Sequence, residues 1–365
     1  MGIRSKTTIA TMIIASSVLL SGCGLFGGEE PVQEIDPPQD VTYLEEGVAL
    51  NPESSEDVVE EITETDSENQ EVATEVGMRE LYLIDKNGYV VPQSISIPKA
   101  EGVAKQALEY LVQNGPVTPL LPDGFRGVIP PDTQVLGVNL LEDGTIVADF
   151  SKEFVNYRQE DELKILQAIT WTLTQFDSVN KVKIQINGYE QDVMPVNGTP
   201  IEEGVSRADG INFDSSEVVD IRNTSSVTLY FMGQNSKGIY YVPVTKRVEK
   251  TEKDPLLTVV NQLIQGPTYT SNLFNGFQPE VKLLDNPIYE NGVVRLNFNE
   301  AIFGNLEGDM ILKSVLDTLV LSLTEQTGIE SVAITVNGNS NIVSEEGQSL
   351  SEPVTRPENV NTGSF

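Results

Sequence analysis

Hydrophobic and polar positions recur in the same order twice along the chain, and the second copy follows the first at a nearly constant distance. Residues 80–83 read Glu-Leu-Tyr-Leu and recur at 228–231 as Thr-Leu-Tyr-Phe. The alternating run at 144–150 recurs at 292–298, and both copies close on an Asn-Gly pair. The matched segments lie 148 to 152 residues apart. Because shared order and spacing rarely arise together by chance, the pattern predicts a tandem duplication.

Each copy predicts the same series of strands and helices. A hairpin opens the copy, turning at Asn87-Gly88 in the first and near Gly238 in the second. A helix, a second hairpin, a second helix and a closing strand follow. The outgoing strand of the second hairpin alternates, with these apolar residues on one face: Ile146, Ala148 and Phe150, and correspondingly Val294, Leu296 and Phe298. The predicted fold is α+β, with two tandem homologous modules, each β-α-β-β-α-β with an extra hairpin strand.

The second helix of each copy carries large apolar residues away from its main apolar stripe. At 100° per residue, Trp171 lies about 180° from that stripe, and Val320 and Leu321 hold similar places in the second copy. Apolar residues on a second face predict an interaction surface for a partner. The alternative is that this face packs on the sister domain or on the strand after Gly188, which is favoured because two tandem modules need an interface.

The N-terminus carries the features of a lipoprotein signal peptide. Arg4 and Lys6 precede an apolar run at 9–20, and the sequence Leu-Ser-Gly then leads into Cys23, the only cysteine of the chain. The apolar run is shorter than the roughly 20 residues that a spanning helix needs. We therefore expect acylation of Cys23, with palmitate-type chains anchoring the protein to the membrane, instead of a transmembrane anchor or a plain secreted protein.

An acidic stretch separates this anchor from the repeats. Residues 29–78 contain 17 acidic side chains and no Lys or Arg, which predicts a disordered spacer. Residues 35–41, Ile-Asp-Pro-Pro-Gln-Asp-Val, are less generic and are a candidate docking motif. The predicted divisions are a signal peptide at 1–22, a lipidated N-terminus and linker at 23–78, a first domain at 79–213, an inter-domain linker at 214–226 and a second domain at 227–365.

Composition excludes several classes of function. With 23 basic and 55 acidic residues the formal charge is −32, so nucleic acid is not an expected partner. The chain has no histidine, and its one cysteine is used for lipidation, which excludes Ser-His-Asp and Cys-His catalysis and His- or Cys-based zinc sites. We expect no cofactor and no metal.

Carboxylates offer the remaining route to catalysis. Asp149 and Glu153 lie at a strand end, but the second copy has Asn297 in place of Asp149, and Glu300 lies only near the place of Glu153. Since the duplication does not preserve the pair, we predict that the protein is not an enzyme.

The sequence predicts roles for two further groups of side chains. Arg207 and Arg356, at equivalent places, are predicted to bind a helix C-terminus or a carboxylate of their own module. Tyr240 and Tyr241 give a weak signal for stacking on sugars.

The repeated units resemble GerMN domains. The resemblance is carried by the Leu-Tyr strand, the Gly-Pro helix end, the Asp149-Phe150 strand end, the terminal Asn-Gly and the tail that begins at Arg356-Pro357. It implies a role in sporulation and germination, on the mother-cell membrane facing the space around the forespore. It further implies association with the channel-like apparatus of that space and a fold similar to the ring-building motifs of secretion systems.

The combined expectation is a non-catalytic, membrane-anchored scaffold that localises envelope proteins between mother cell and forespore. Its expected partners are the membrane, through Cys23, and other sporulation envelope or channel proteins. The alternative is a factor that binds peptidoglycan, or one that processes it with carboxylates.

Overall fold

Both repeats fold from the elements that their hydrophobic pattern predicts. The computed structural model describes residues 75–214, 224–249, 254–304 and 310–362. In the first repeat the strands and helices are β1 (Val76–Ile84), β2 (Val90–Pro98), α1 (Val103–Glu109), β3 (Val135–Leu140), β4 (Thr145–Phe150), α2 (Glu162–Leu173), β5 (Lys181–Ile186) and β6 (Tyr189–Glu190). In the second they are β7 (Thr224–Gln234), β8 (Ile239–Glu249), α3 (Pro255–Gln265), β9 (Ile288–Glu290), β10 (Val293–Phe298), β11 (Met310–Ile311), α4 (Lys313–Thr324), β12 (Ser331–Val336), β13 (Val343–Ser344) and β14 (Val354–Thr355).

A four-stranded mixed sheet forms one side of each repeat. Its strand order is β3-β4-β5-β6 in the first repeat and β14-β12-β10-β9 in the second. Strands β4 and β5 are parallel, as are β10 and β12, because α2 and α4 cross over between them. The predicted alternation is confirmed, since Phe150 and Phe298 and the residues two and four positions before them are buried. The α+β prediction with two tandem modules is confirmed.

The opening hairpin packs on the second helix from the side opposite the sheet. In the first repeat the amide of Tyr82 donates to the hydroxyl of Thr172 on α2 at 3.0 Å. In the second repeat the amide of Tyr230 donates to Ser322 on α4 at 2.8 Å. Each second helix is therefore enclosed by strands on two sides, which explains why nearly all its residues are buried.

The two repeats share one hydrophobic core. Strand β2 of the first repeat contacts β8 of the second, and buried residues of both repeats belong to a single cluster. The predicted linker at 214–226 requires revision at its end, because Thr224–Ser226 form the start of β7. Asp214 pairs with β8, and residues 215–223 lie outside the described residues.

Cys23 and the acidic spacer up to residue 74 also lie outside the described residues. Among the helices of the described ranges, none is long and apolar enough to cross a membrane.

A buried carboxylate holds the loop that follows β6. Glu162, the first residue of α2, is fully buried. Its oxygens accept hydrogen bonds from the hydroxyl of Tyr157 at 2.9 Å and from the amides of Val196, Asn197 and Thr199 at 2.6 to 3.0 Å. The hydroxyl of Thr199 donates a further bond at 2.6 Å. The carboxylate thus joins the start of a core helix to a distant loop.

This environment makes the stability of the protein depend on pH. Burial raises the pKa of Glu162, but the donors from Thr199 and Asn197 stabilise the carboxylate further, so that its pKa lies below the ordinary value. The stability that the ionised Glu162 contributes is therefore fully present above the ordinary glutamate pKa of about 4.3. It is lost as the pH falls through the pKa of Glu162 in the folded protein.

We expect Glu162→Gln to lower the free energy of unfolding by about 2 kcal/mol at neutral pH, because hydrogen bonds to a charged group are lost. The difference from the unsubstituted chain should shrink as the pH falls below the ordinary glutamate pKa of about 4.3, as measured by urea denaturation. Glu160→Gln is the matched control, since the side chain of Glu160 is 64% exposed and pairs with Arg158 at the surface. A difference that stays constant with pH would contradict this account.

Candidate interaction surfaces

The predicted interaction surface of Trp171, Val320 and Leu321 is buried. Each side chain is 1% exposed. The ring of Trp171 packs against Tyr82 of β1, with ring centroids 5.6 Å apart, and the guanidinium carbon of Arg207 lies 4.5 Å from its centroid. The prediction of a partner surface is therefore corrected, because the opening hairpin covers this face of the helix. Packing was the right alternative, but the covering strand in the first repeat is its own β1.

Two arginines, one from each repeat, converge on one carboxylate. Arg207 donates to Glu325 at 2.9 Å, and Arg356 donates to Glu325 at 3.3 Å. The side chain of Glu325 is 8% exposed and each arginine side chain is 27% exposed. The hydroxyl of Tyr230 lies 3.2 Å from the same carboxylate. This group, Arg207, Arg356, Glu325 and Tyr230, is called the junction cluster below.

The predicted role of both arginines is confirmed and extended. Arg207 donates to the hydroxyl of Thr174 at 3.0 Å, at the end of its own helix α2. Arg356 donates to the carbonyl of Leu321 at 3.3 Å, near the end of its own helix α4. The partner that the sequence did not identify is Glu325, which Arg207 reaches across the repeat boundary.

The tail of the first repeat bonds to the second repeat. The side-chain nitrogen of Asn212 donates to the backbone carbonyls of Val90 at 2.7 Å and Pro243 at 2.8 Å. Its side-chain oxygen accepts a hydrogen bond from the backbone amide of Val90. The carbonyl of Ile211 accepts from the amide of Thr245 on β8 at 2.8 Å. One side chain therefore joins β2 of the first repeat to β8 of the second.

The tail of the second repeat makes the reciprocal contacts. The side-chain nitrogen of Asn361 donates to the backbone carbonyls of Tyr241 and Pro92, both at 2.8 Å. The carbonyl of Val360 accepts from the amide of Ser94 on β2. Because the two tails bond across in equivalent ways, the repeats are related by an approximate two-fold axis. Asn212 and Asn361 also share a left-handed backbone, with φ of 48° and 55°.

The carboxylates considered for catalysis have structural partners. Asp149 accepts the amide of Gly188 at 3.0 Å, and Asn297 accepts the amide of Gly338 at 2.9 Å. Asp149 and its equivalent Asn297 therefore hold the Asn-Gly turn of their repeats in the same way. A hydrogen bond from Ser151 lowers the pKa of Glu153, which is opposite to the raised pKa that a general acid requires.

Both tyrosines that are candidates for sugar stacking donate hydrogen bonds to carboxylates. Tyr240 is 4% exposed and donates to Asp85 at 2.7 Å. Tyr241 is half-buried and donates to Asp317 at 2.9 Å. Tyr240 therefore offers no open ring face to a saccharide. Among the described residues, no cluster of three or more His, Cys, Asp or Glu side chains is arranged to hold a metal ion.

Some of the exposed apolar residues lie near one outer edge of each sheet. Strands β3 and β9 are the last strands on equivalent sides of the two sheets, so each has backbone groups without a strand partner on one side. Leu136 is 45% exposed and its equivalent Leu284 is 49% exposed. We call these residues the sheet-edge surfaces: Leu136 and Leu141 in the first repeat, and Leu284, Ile288 and Tyr289 in the second.

The repeats match a known family. The family model described as "Germane: Sporulation and spore germination" matches residues 80–192 and 228–341. The chain belongs to this family. The two matched segments lie within the two structural repeats, so each repeat contains one Germane domain.

Comparisons with individual proteins agree with the Germane assignment. The chain is 49% identical over 364 residues to "Spore germination protein GerM" of Bacillus subtilis (strain 168), covering 99% of each chain. It is also similar to a solved structure, "Tandem GerMN domains of the sporulation protein GerM from Bacillus subtilis". That match has 52% identity and a TM-score of 0.75 over 80% of this chain and 100% of that chain. The resemblance to GerMN domains is confirmed.

The tail contacts between the two repeats have a signal in the sequence that the hydrophobic pattern does not show. Asn212 follows Arg207 by five residues, and Asn361 follows Arg356 by five. The repeat of an Arg-x4-Asn spacing in the tail that follows each Germane match marks both residues as structural. No comparable signal marks Glu325, because the equivalent residue of the first domain is Gln175.

Proposed function

We propose that this chain is a non-catalytic, membrane-anchored scaffold that localises envelope proteins between mother cell and forespore during sporulation, with effects on germination. The observation that carries the proposal is the doubled architecture. The junction cluster and the exchanged tails join two Germane domains, and each domain presents an equivalent, exposed apolar sheet edge. Two similar surfaces that are joined in one unit are suited to holding neighbouring proteins in fixed positions relative to each other.

The anchor and location are part of the same proposal. Cys23, the first residue after the signal peptide, would carry the lipid, and the acidic spacer would hold the two joined Germane domains away from the extracytoplasmic face of the membrane. In sporulating cells this membrane would be that of the mother cell, facing the intermembrane space. The partners would be other sporulation envelope or channel-apparatus proteins. The likeness to ring-building motifs stays a prediction.

The sheet-edge surfaces provide the test. We expect the double variant Leu136→Glu/Leu284→Glu to fold normally, since both side chains are about half exposed, and to lose its place around the forespore. Leu136 lies on the edge strand β3 and Leu284 lies four residues before the edge strand β9, and a charge at a sheet edge opposes the addition of another strand. With the protein fused to a fluorescent protein, the expected result is loss of the fluorescence around the forespore in sporulating cells. The yield of heat-resistant spores should fall at least about tenfold.

Leu163→Glu is the matched control, because Leu163 is 44% exposed but lies on helix α2 and not on a sheet-edge strand. Normal localisation of the double variant would overturn the scaffold proposal. Sedimentation of the unsubstituted protein with purified sacculi, accompanied by release of muropeptides, would favour the peptidoglycan alternative.

A further inference from the structure

Two Asn-Gly turns occupy equivalent places in the two repeats and share one backbone conformation. Asn187-Gly188 follows β5, and Asn337-Gly338 follows β12. The φ angles are 50° and 79° in the first turn and 49° and 77° in the second, the left-handed values that Asn and Gly adopt in tight turns. All four residues are exposed. A difference in reactivity between the two turns would therefore come from the side chains around them.

The backbone amide of each glycine donates a hydrogen bond to a side chain, and the two acceptors differ in chemistry. The nitrogen of Gly188 lies 3.0 Å from Oδ1 of Asp149, and the nitrogen of Gly338 lies 2.9 Å from Oδ1 of Asn297. A carboxylate takes up protons from groups at this distance, whereas a neutral carboxamide does not. Of the two turns, the one in the first repeat therefore has a proton acceptor on its glycine nitrogen.

The asparagine side chains of the two turns also differ. The side-chain nitrogen of Asn337 donates to Glu300 at 3.0 Å. The side chain of Asn187 has no hydrogen-bond partner among the described residues, and its backbone amide is held by the carbonyl of Phe150 at 2.9 Å. A Cβ atom added to Gly188 would meet no atom within 4 Å, so this turn is open to water. The Asn187 side chain is therefore free to rotate toward the glycine nitrogen.

We propose that Asn187 is a site of self-catalysed deamidation, with Asp149 as the catalytic residue. The nitrogen of Gly188 attacks the side-chain carbonyl carbon of Asn187, and its proton passes to Asp149. The bond from that carbon to Nδ2 breaks, and Nδ2 leaves as ammonia with the proton that Asp149 returns. The product is a cyclic succinimide. Water then opens the ring at either carbonyl carbon, giving aspartate or isoaspartate.

The reaction changes the β6 edge of the first sheet. Isoaspartate carries the main chain through its side chain, so it lengthens the turn by one methylene group, and β6 pairs with β5 directly after this turn. Either product also adds a negative charge beside Asp149, and like charges at short range repel. We expect β6 to separate from β5 in modified chains. The reaction alters the chain itself and turns over no external substrate, so it is independent of the proposed scaffold role.

Peptide mapping of the full chain, purified in detergent, tests the proposal. The protein is aged at neutral pH in water enriched in heavy oxygen, and mass spectrometry follows the label that each hydrolysis introduces at the two turns. We expect Asn187 to react at least about tenfold faster than Asn337 in the folded chain. In urea, where Asp149 no longer lies beside Gly188, the two rates should be similar. Equal rates in the folded chain would overturn the proposal.

The variant Asp149→Asn removes the proton acceptor and keeps the turn. The second repeat already uses Asn297 in this place, so folding should be retained, which circular dichroism verifies. We expect the rate at Asn187 to fall at least about tenfold, to near the rate at Asn337. If Asp149 only restrained the turn, its replacement would leave the rate at Asn187 unchanged or raise it, and either result would overturn the proposal.

The variant Glu300→Ala tests whether restraint of the asparagine side chain explains the difference instead. Glu300 is exposed, so its replacement removes the contact with Asn337 and should leave the fold intact. We expect the rate at Asn337 to rise less than about threefold, because no carboxylate accepts the proton of Gly338. A rise to the rate of Asn187 would overturn the role assigned to Asp149.

Discussion

Replacing Trp171 by alanine is expected to lower the free energy of unfolding by about 4 kcal/mol, the largest effect of any substitution proposed for this chain. The side chain is 1% exposed and fills the space between α2 and Tyr82 of β1. Its removal leaves a cavity that a packed helix and hairpin cannot close. It also removes the ring against which the guanidinium of Arg207 is placed.

Urea denaturation followed by circular dichroism is the appropriate measurement, because Trp171 is the only tryptophan and its fluorescence is lost in the variant. Leu163→Ala on the same helix is the control. Leu163 is 44% exposed, and its loss should change the free energy of unfolding by about 0.5 kcal/mol or less. An alanine variant at 171 with unchanged stability would show that this face of α2 is not held by the hairpin.

The elements of each repeat could be predicted because they depend on local pattern. Strand β4 alternates with period two, and Asn-Gly pairs mark the tight turns. The opening hairpin, both helices and the alternating strand occur in each repeat. The spacing of 148 to 152 residues fixed the modular organisation without any knowledge of contacts.

The burial of Trp171 could not be deduced from the helix alone. A helix with one apolar stripe is expected to face one layer, and its opposite side is expected to face solvent or a partner. Here β1, some 90 residues earlier in the chain, covers that opposite side. The sequence shows that the second face is apolar, but it does not identify which distant segment packs on it.

The contacts of each tail with the other repeat could not be predicted from the sequence for a similar reason. Asn212 bonds to Val90, 122 residues away, and to Pro243, 31 residues away in the next repeat. An Arg-x4-Asn spacing indicates that both positions matter, but two separate modules could use it internally. Only the structure shows that each tail bonds across to the other repeat, which turns two modules into one joined unit.

The junction cluster should be the second most sensitive point. We expect Glu325→Gln to lower the free energy of unfolding by about 3 kcal/mol, near the lower end for breaking a buried ion pair because the arginines remain partly exposed. The substitution keeps the shape of the side chain and removes the charge that Arg207 and Arg356 share. Urea denaturation should also show a lower m-value if the repeats begin to unfold separately.

The effect should be specific to the shared carboxylate and not to the loss of one negative charge. Glu330→Gln is the control, since Glu330 is exposed near the same helix end and should change stability by about 0.5 kcal/mol or less. The equivalent of Glu325 in the first repeat is Gln175, which bonds to the backbone of Glu80. One carboxylate therefore serves arginines from both repeats. If Glu325→Gln left both stability and m-value unchanged, the repeats would have to be held together by the core and the exchanged tails alone.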